Sequence, residues 1–202
     1  MSPKSEIRNQ KHRRAAGVPS LIQNLDVVII VGSDSDLAVM ARAAAVLEEF
    51  GVTHEVRILS AHRTPERLEA YMVTFGKRGV KVVIAAASGA AHLAGKIASL
   101  TTLPVIAVPL DAGGVGGVGG LDALLSTVQM PGGIPVLTVA IGKAGATNAA
   151  LAAVEILALT RPALARRLAA HRKRMAREVA RKNTELQQLG VEQYVRKKSA
   201  HG

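Results

Sequence analysis

The chain contains no cysteine and no tryptophan, and only two tyrosines and two phenylalanines. Without thiols there is no disulfide, no thiolate metal site and no cysteine nucleophile. With so few rings, the core has to be assembled from Ala, Val, Leu and Ile, which favours layered α/β packing over a β-sandwich and leaves no stacking platform for single-stranded nucleic acid. No apolar run is long enough to span a bilayer and the first residues lack the apolar segment of a secretory signal, so the expected location is the cytoplasm. Acidic residues are scarce too: 15 Asp and Glu stand against 26 Lys and Arg, for a formal net charge of +11.

That charge is unevenly spread. Residues 161–202 hold twelve Lys and Arg against three acids, residues 1–18 hold five against one, and residues 19–160 hold nine against eleven. The basic character therefore belongs to the two ends, and nucleic acid is not an expected partner of the folded unit. Residues 1–20 lack periodicity and are expected to form a flexible basic arm; residues 21–160 should form one α/β domain, and residues 161–202 a basic amphipathic helix and tail. In that tail Leu164, Leu168, His171, Met175, Val179, Leu186 and Leu189 recur at helical spacing, which fits a helix packed on its own or a neighbouring subunit. Binding through its arginine-rich face is the alternative.

The middle of the chain is organised around VVIIVGSDSD at 27–36, where an apolar run breaks into glycine and small polar residues. It reads as a strand buried on both faces that empties into a turn and a helix with Leu37, Met40, Ala41, Ala44 and Leu47 on one side. Further strands are expected at 54–60, 80–87, 104–110 and 134–141, alternating with helices, and Gly51 is a helix stop. Five strands with intervening helices predict a three-layer, doubly wound parallel sheet with a C-terminal helical extension. Ligands of such sheets bind beyond the carboxyl ends of the strands, where the winding reverses. Three polar clusters fall at strand exits: GSDSD at 32–36, SAHR at 60–63 and SGAAH at 88–92. Together they predict one composite site.

Ser33 and Ser35, with backbone N–H groups at the helix start, suit an anion such as phosphate, and Arg63 can pair with it bidentately. Asp36 suits a ribose diol, or is simply a first-turn acid complementing the helix dipole. His62 and His92 are the side chains at these exits that titrate near neutrality, so His62 is the candidate proton-transfer group, against the commoner structural role of a lone histidine. No metal is expected, since the two histidines have no evident carboxylate partner for a closed site. Gly114, Gly116 and Gly119 formally match GxGxxG, but no acid follows about twenty residues on, so a dinucleotide cofactor is not expected. The run GGVGGVGG at 113–120 is better read as a mobile loop able to fold over a ligand.

GSDSD, SAHRTPERL, SGAAHLAG, LLSTVQMPGGIPV and AIGKAGATNAAL, in this order, resemble the class I carboxyaminoimidazole ribonucleotide mutases of bacterial purine biosynthesis over about residues 26–160. The resemblance implies a flavodoxin-like homo-octameric enzyme without cofactor or metal that moves a carboxylate from the exocyclic nitrogen of an aminoimidazole ribonucleotide to the adjacent ring carbon. Decarboxylation would leave trapped carbon dioxide, which the ring carbon then attacks. By motif position it makes His62 the general acid/base and Ser33, Asp36 and Arg63 nucleotide-binding residues. It places Ser60, Gly89, Ala90, His92 and Leu93 around the base and carboxylate; Ser35 and Ser88 join them as candidate substrate-binding residues. Ser88, Ala94 and Lys96 depart from the usual glycine, proline and methionine, and the glycine-rich loop is longer than usual. Class II enzymes, which carboxylate the unsubstituted aminoimidazole with free carbon dioxide, and a non-catalytic nucleotide- or nucleic-acid-binding relative are the alternatives.

Overall fold

A computed structural model of the chain describes residues 24–113 and 118–200. The expected arm over residues 1–20 and the middle of the glycine-rich run, residues 114–117, lie outside these. The strands are β1 (Val27–Val31), β2 (His54–Ile58), β3 (Val82–Ser88), β4 (Val105–Leu110) and β5 (Leu137–Thr138). They form one parallel sheet in the order β2-β1-β3-β4-β5. The helices are α1 (Leu37–Glu49), α2 (Pro65–Met72), α3 (Phe75–Arg78), α4 (Leu93–Ala98), α5 (Leu121–Val128), α6 (Gly142–Ala158) and α7 (Pro162–Ser199). This is the expected flavodoxin-like doubly wound sheet with a C-terminal helical extension.

Strand alternation divides the apolar residues between two layers. Val27, Ile29 and Val31 of β1 face α1 and α6, whereas Val28 and Ile30 join Leu68, Phe75, Leu93 and Ile97 from α2, α3 and α4 on the other side. Every residue of β1 is buried, and each such valine or isoleucine contributes roughly 1.5–3 kcal/mol. With aromatic rings so scarce, the first layer closes by close approach. Ala43 of α1 meets Ala146, Ala149, Ala150 and Ala153 of α6 in the same cluster. Gly145 belongs to that device: a methyl group there would lie 1.6 Å from the carbonyl oxygen of Ala140.

Gly51 stops α1 as its position predicts. It takes a left-handed φ of 65°, its N–H bonds the Glu48 carbonyl at 2.9 Å, and the N–H of Val52 bonds that of Leu47 at 2.9 Å. This pairing satisfies two otherwise orphaned carbonyls. Thr64 and Pro65 begin α2, and the Thr64 hydroxyl accepts the N–H of Ser60 at 3.0 Å rather than capping the helix. The fifth strand is much shorter than the expected 134–141. Pro135 has no N–H to donate to a ladder, and regular pairing with β4 is confined to Leu137 and Thr138.

The corner between α6 and α7 is tied to the start of β1 by Arg161, which donates to both carboxylate oxygens of Asp26 at 2.7 and 2.5 Å. This bidentate bond holds the Asp26 carboxyl below its ordinary value, against the opposing effect of burial, with the Thr53 hydroxyl adding a further bond. A depressed carboxylate contributes stability at pH above its unfolded value and loses it as pH falls through the folded one. Asp26→Asn should therefore be less stable than the parent in urea at pH 7. The two midpoints should converge as pH falls through the depressed folded-state value of Asp26, where its carboxyl becomes neutral; a gap that persists below it would assign the loss to packing instead.

Candidate functional site

The order of the strands places the reversal of winding at β1, which has β2 on one side and β3 on the other. The exits of these three strands touch one another directly. Arg63, two residues before α2, sends Nη2 back to the carbonyl oxygen of Gly32 at 2.7 Å, joining the second exit to the first. Nε2 of His62 lies 3.0 Å from Nδ1 of His92, joining the second exit to the third. The two rings meet edge to face, with centroids 5.1 Å apart.

Between these contacts lies a cleft of about 230 Å³. Gly32, Ser33 and Asp36 line it from the first exit, Ser60 through Arg63 from the second, and Ser88, Ala90, His92 and Leu93 from the third. Of the candidate residues, Ser33, Asp36, Ser60, His62, Arg63, Ser88, Ala90, His92 and Leu93 are thus brought together. Ser35 and Gly89 are not on the wall. The Ser35 side chain is exposed and its N–H is spent on the Asp34 carboxylate at 3.1 Å, because the chain makes a single 3-10 turn over Asp34–Asp36 before α1 begins. Gly89 contributes its left-handed backbone, φ 61°, which turns the chain between two lining residues.

The wall carries a guanidinium and hydroxyls on one side and two imidazoles on the other. Arg63 is held by the Gly32 carbonyl and, through its backbone N–H, by the Ser60 hydroxyl at 3.1 Å. A guanidinium has five N–H donors, so this anchoring leaves others for an anion. Asp36 is buried, with Oδ2 accepting the N–H of Ser33 at 3.2 Å. Burial pushes its carboxyl above the ordinary value, while the Ser33 and Ser35 bonds and the Arg63 charge pull it down. One oxygen of Asp36 thus completes the helix start. His62 and His92 are exposed to the cleft, and across their contact one ring nitrogen donates while the other accepts. Among the described residues, no group of three or more His, Cys, Asp or Glu could hold a metal ion.

Sequence reasoning missed Ser126, one of whose roles is to support the third exit from α5. Its hydroxyl accepts the N–H of Ala91 at 3.1 Å and lies 3.4 Å from the carbonyl oxygen of Gly89. The loop carrying His92 is therefore hung on the helix that follows the glycine-rich run. The motif LLSTVQMP was visible, but the 35-residue separation gave no sign of the contact. Ser126→Ala leaves the Ala91 N–H without its acceptor, a cost of about 1–3 kcal/mol. Turnover should fall roughly tenfold with a smaller change in KM, and Ser126→Thr should restore it. A lower melting temperature with unchanged kcat would make the residue purely structural.

Comparison with known proteins agrees with this geometry. A mutase from Thermotoga maritima, named N5-carboxyaminoimidazole ribonucleotide mutase, is 50% identical over 172 residues, covering 85% of this chain and 98% of the relative. One of the same name from Pyrococcus horikoshii is 53% identical over 169 residues, covering 84% and 93%. The crystal structure of Treponema denticola PurE superposes with a TM-score of 0.70 at 26% identity, covering 79% of this chain and 97% of that one. The family model described as AIR carboxylase matches residues 26–178, which include all five strands and every residue of the cleft. The chain belongs to the AIR carboxylase family.

Proposed function

We propose that the chain is an N5-carboxyaminoimidazole ribonucleotide mutase, an isomerase of purine biosynthesis acting on a small-molecule ribonucleotide. The observation that carries this reading is the meeting of three strand exits in one cleft with two imidazoles in contact. Identity of about one half to relatives bearing that name supports it.

In the proposed reaction, the guanidinium of Arg63 and the hydroxyl of Ser33 take the phosphate, and the carboxylate of Asp36 takes a ribose hydroxyl. Ser60, Ser88, Ala90, His92 and Leu93 surround the base. The carbamate C–N bond breaks as the exocyclic nitrogen receives a proton, leaving aminoimidazole and carbon dioxide in the cleft. The ring carbon attacks carbon dioxide, and loss of its proton restores the aromatic ring. His62 gives the first proton and recovers the second, so the cycle is proton-neutral and needs no cofactor. A dry, closed cleft retains the carbon dioxide between the two bond changes.

The active form is proposed to be a cytoplasmic homo-octamer, with residues 21–160 as the catalytic unit and residues 161–202 appended to it. Leu121, Leu125 and Val128 form an exposed stripe along α5, and Leu137 beside them on β5 is also exposed. An apolar stripe of that kind fits a subunit contact. Among the described residues no helix is long and apolar enough to cross a membrane. Incubation with the carboxyamino substrate should yield the ring-carboxylated product, with light scattering reporting eight copies. Product only from aminoimidazole ribonucleotide plus bicarbonate would replace the mutase reading by a carboxylase.

A further inference from the structure

The match to the family model ends at residue 178, inside α7, and the helix continues beyond it. The proximal part of α7 lies on the body: Leu164 is buried, Arg167 donates to the Phe50 carbonyl at 2.6 Å, and Arg174 pairs with Glu49 at 2.5 Å. Beyond Arg174 the ion pairs are internal to the helix, including Lys182 with Glu178 at 2.7 Å and Arg181 with Glu185 at 3.5 Å. Gly190 then leaves helical geometry, with φ 71° and ψ 166°. The chain turns back there, because Lys197 reaches Glu185, twelve residues earlier. Along a straight helix that separation would be about 18 Å. The two arms enclose a cleft of about 370 Å³ walled by Arg181, Lys182, Lys197, Lys198, Glu185 and Tyr194.

The cations not used on the body form a line. A period of 3.6 residues puts Arg166, Lys173, Arg177 and Arg181 on one side of α7, opposite Leu164, Leu168 and His171, with about 6 Å of rise between the last three in turn. All four are exposed, and the line runs into the hairpin cleft. Residues 161–202 carry twelve cations against three acids, and residues 19–160 are close to neutral; Arg181, at the far end of the line, pairs with Glu185 at 3.5 Å. An open row of exposed cations suits an extended polyanion better than a small enclosed anion. We infer that the outer face of α7 and its return arm bind the phosphate backbone of a nucleic acid without reading its sequence. The reservation drawn from composition applied to the folded domain; here the charge has a shape of its own, outside the catalytic cleft.

The test is fluorescence anisotropy of a labelled RNA oligonucleotide with the full chain at graded salt. Four neutralised phosphates should give a slope of log K against log salt of about −3. The variant Arg166→Gln/Lys173→Gln/Arg177→Gln/Arg181→Gln should lose most of that slope and bind at least tenfold more weakly at low salt. It should retain the parent's melting temperature and its activity, so the result is independent of the catalytic proposal. Absence of salt-dependent RNA binding by the parent would overturn the inference, as would undiminished binding by the variant. Retention on phosphatidylserine vesicles without RNA binding would overturn it in favour of a membrane surface.

Discussion

Replacing His62 with asparagine should lower kcat by two to four orders of magnitude while leaving the affinity for the ribonucleotide within a few-fold of the parent. A positioned acid/base contributes about 10²–10⁴ in rate, and that contribution vanishes when the side chain can no longer carry a proton. Asparagine retains a polar group near Nδ1 of His92, from which Nε2 of His62 stands at 3.0 Å, so the cleft should keep its shape. The phosphate and ribose contacts proposed for Arg63, Ser33 and Asp36 do not use the imidazole. Calorimetric titration with the product, beside steady-state rates, separates the two effects. Normal turnover would remove His62 from the mechanism; a comparable loss confined to His92→Asn would move the proton transfer to the other ring.

The second large effect concerns stability. Glu55 on β2 pairs with Arg78 at the end of α3, whose side chain is only 2% exposed, and with Arg57. The Tyr71 hydroxyl donates to Glu55 at 3.2 Å and accepts from Arg78 at 3.1 Å. The faces of that ring lie near both guanidinium groups, at 5.3 and 5.5 Å. Glu55→Gln leaves two guanidinium groups facing a neutral amide, one of them out of reach of water. Removing one partner of a buried ion pair costs about 3–5 kcal/mol. For a chain of this size that corresponds to a fall in Tm of roughly 6–20 °C. Scanning calorimetry would read it. A loss below about 1 kcal/mol would mean that the carboxylate matters little to Arg78, and Glu55→Leu with Arg78→Leu should then be no better than the single variant.

These two predictions divide along the line between what the sequence made legible and what it hid. The cleft was legible because each wall begins where an apolar strand gives way to small polar residues, as at Val31 to Ser33 and at Ala87 to Gly89. Strand exits in a parallel sheet share one end, so local signals sufficed to predict their meeting. Ser35 broke that logic since a single tight turn aimed it at solvent. The Glu55, Tyr71 and Arg78 network was not legible: its members sit on separate elements, and the sequence marks 54–60 only as a strand. Ser126 and Gly145 were hidden for the same reason, their partners being distant in sequence or backbone. The truncated β5 was missed because apolar content marked a strand while Pro135 denied it a ladder.

The two rims of the sheet also determine how the molecule can grow. One rim is β2, where Glu55 and Arg57 carry charge, and the other is β5, with two paired residues. Neither presents the long, flat, uncharged template that recruits strands into fibrils. Growth of this protein by adding strands at either rim is therefore disfavoured, and with it open-ended amyloid-like stacking.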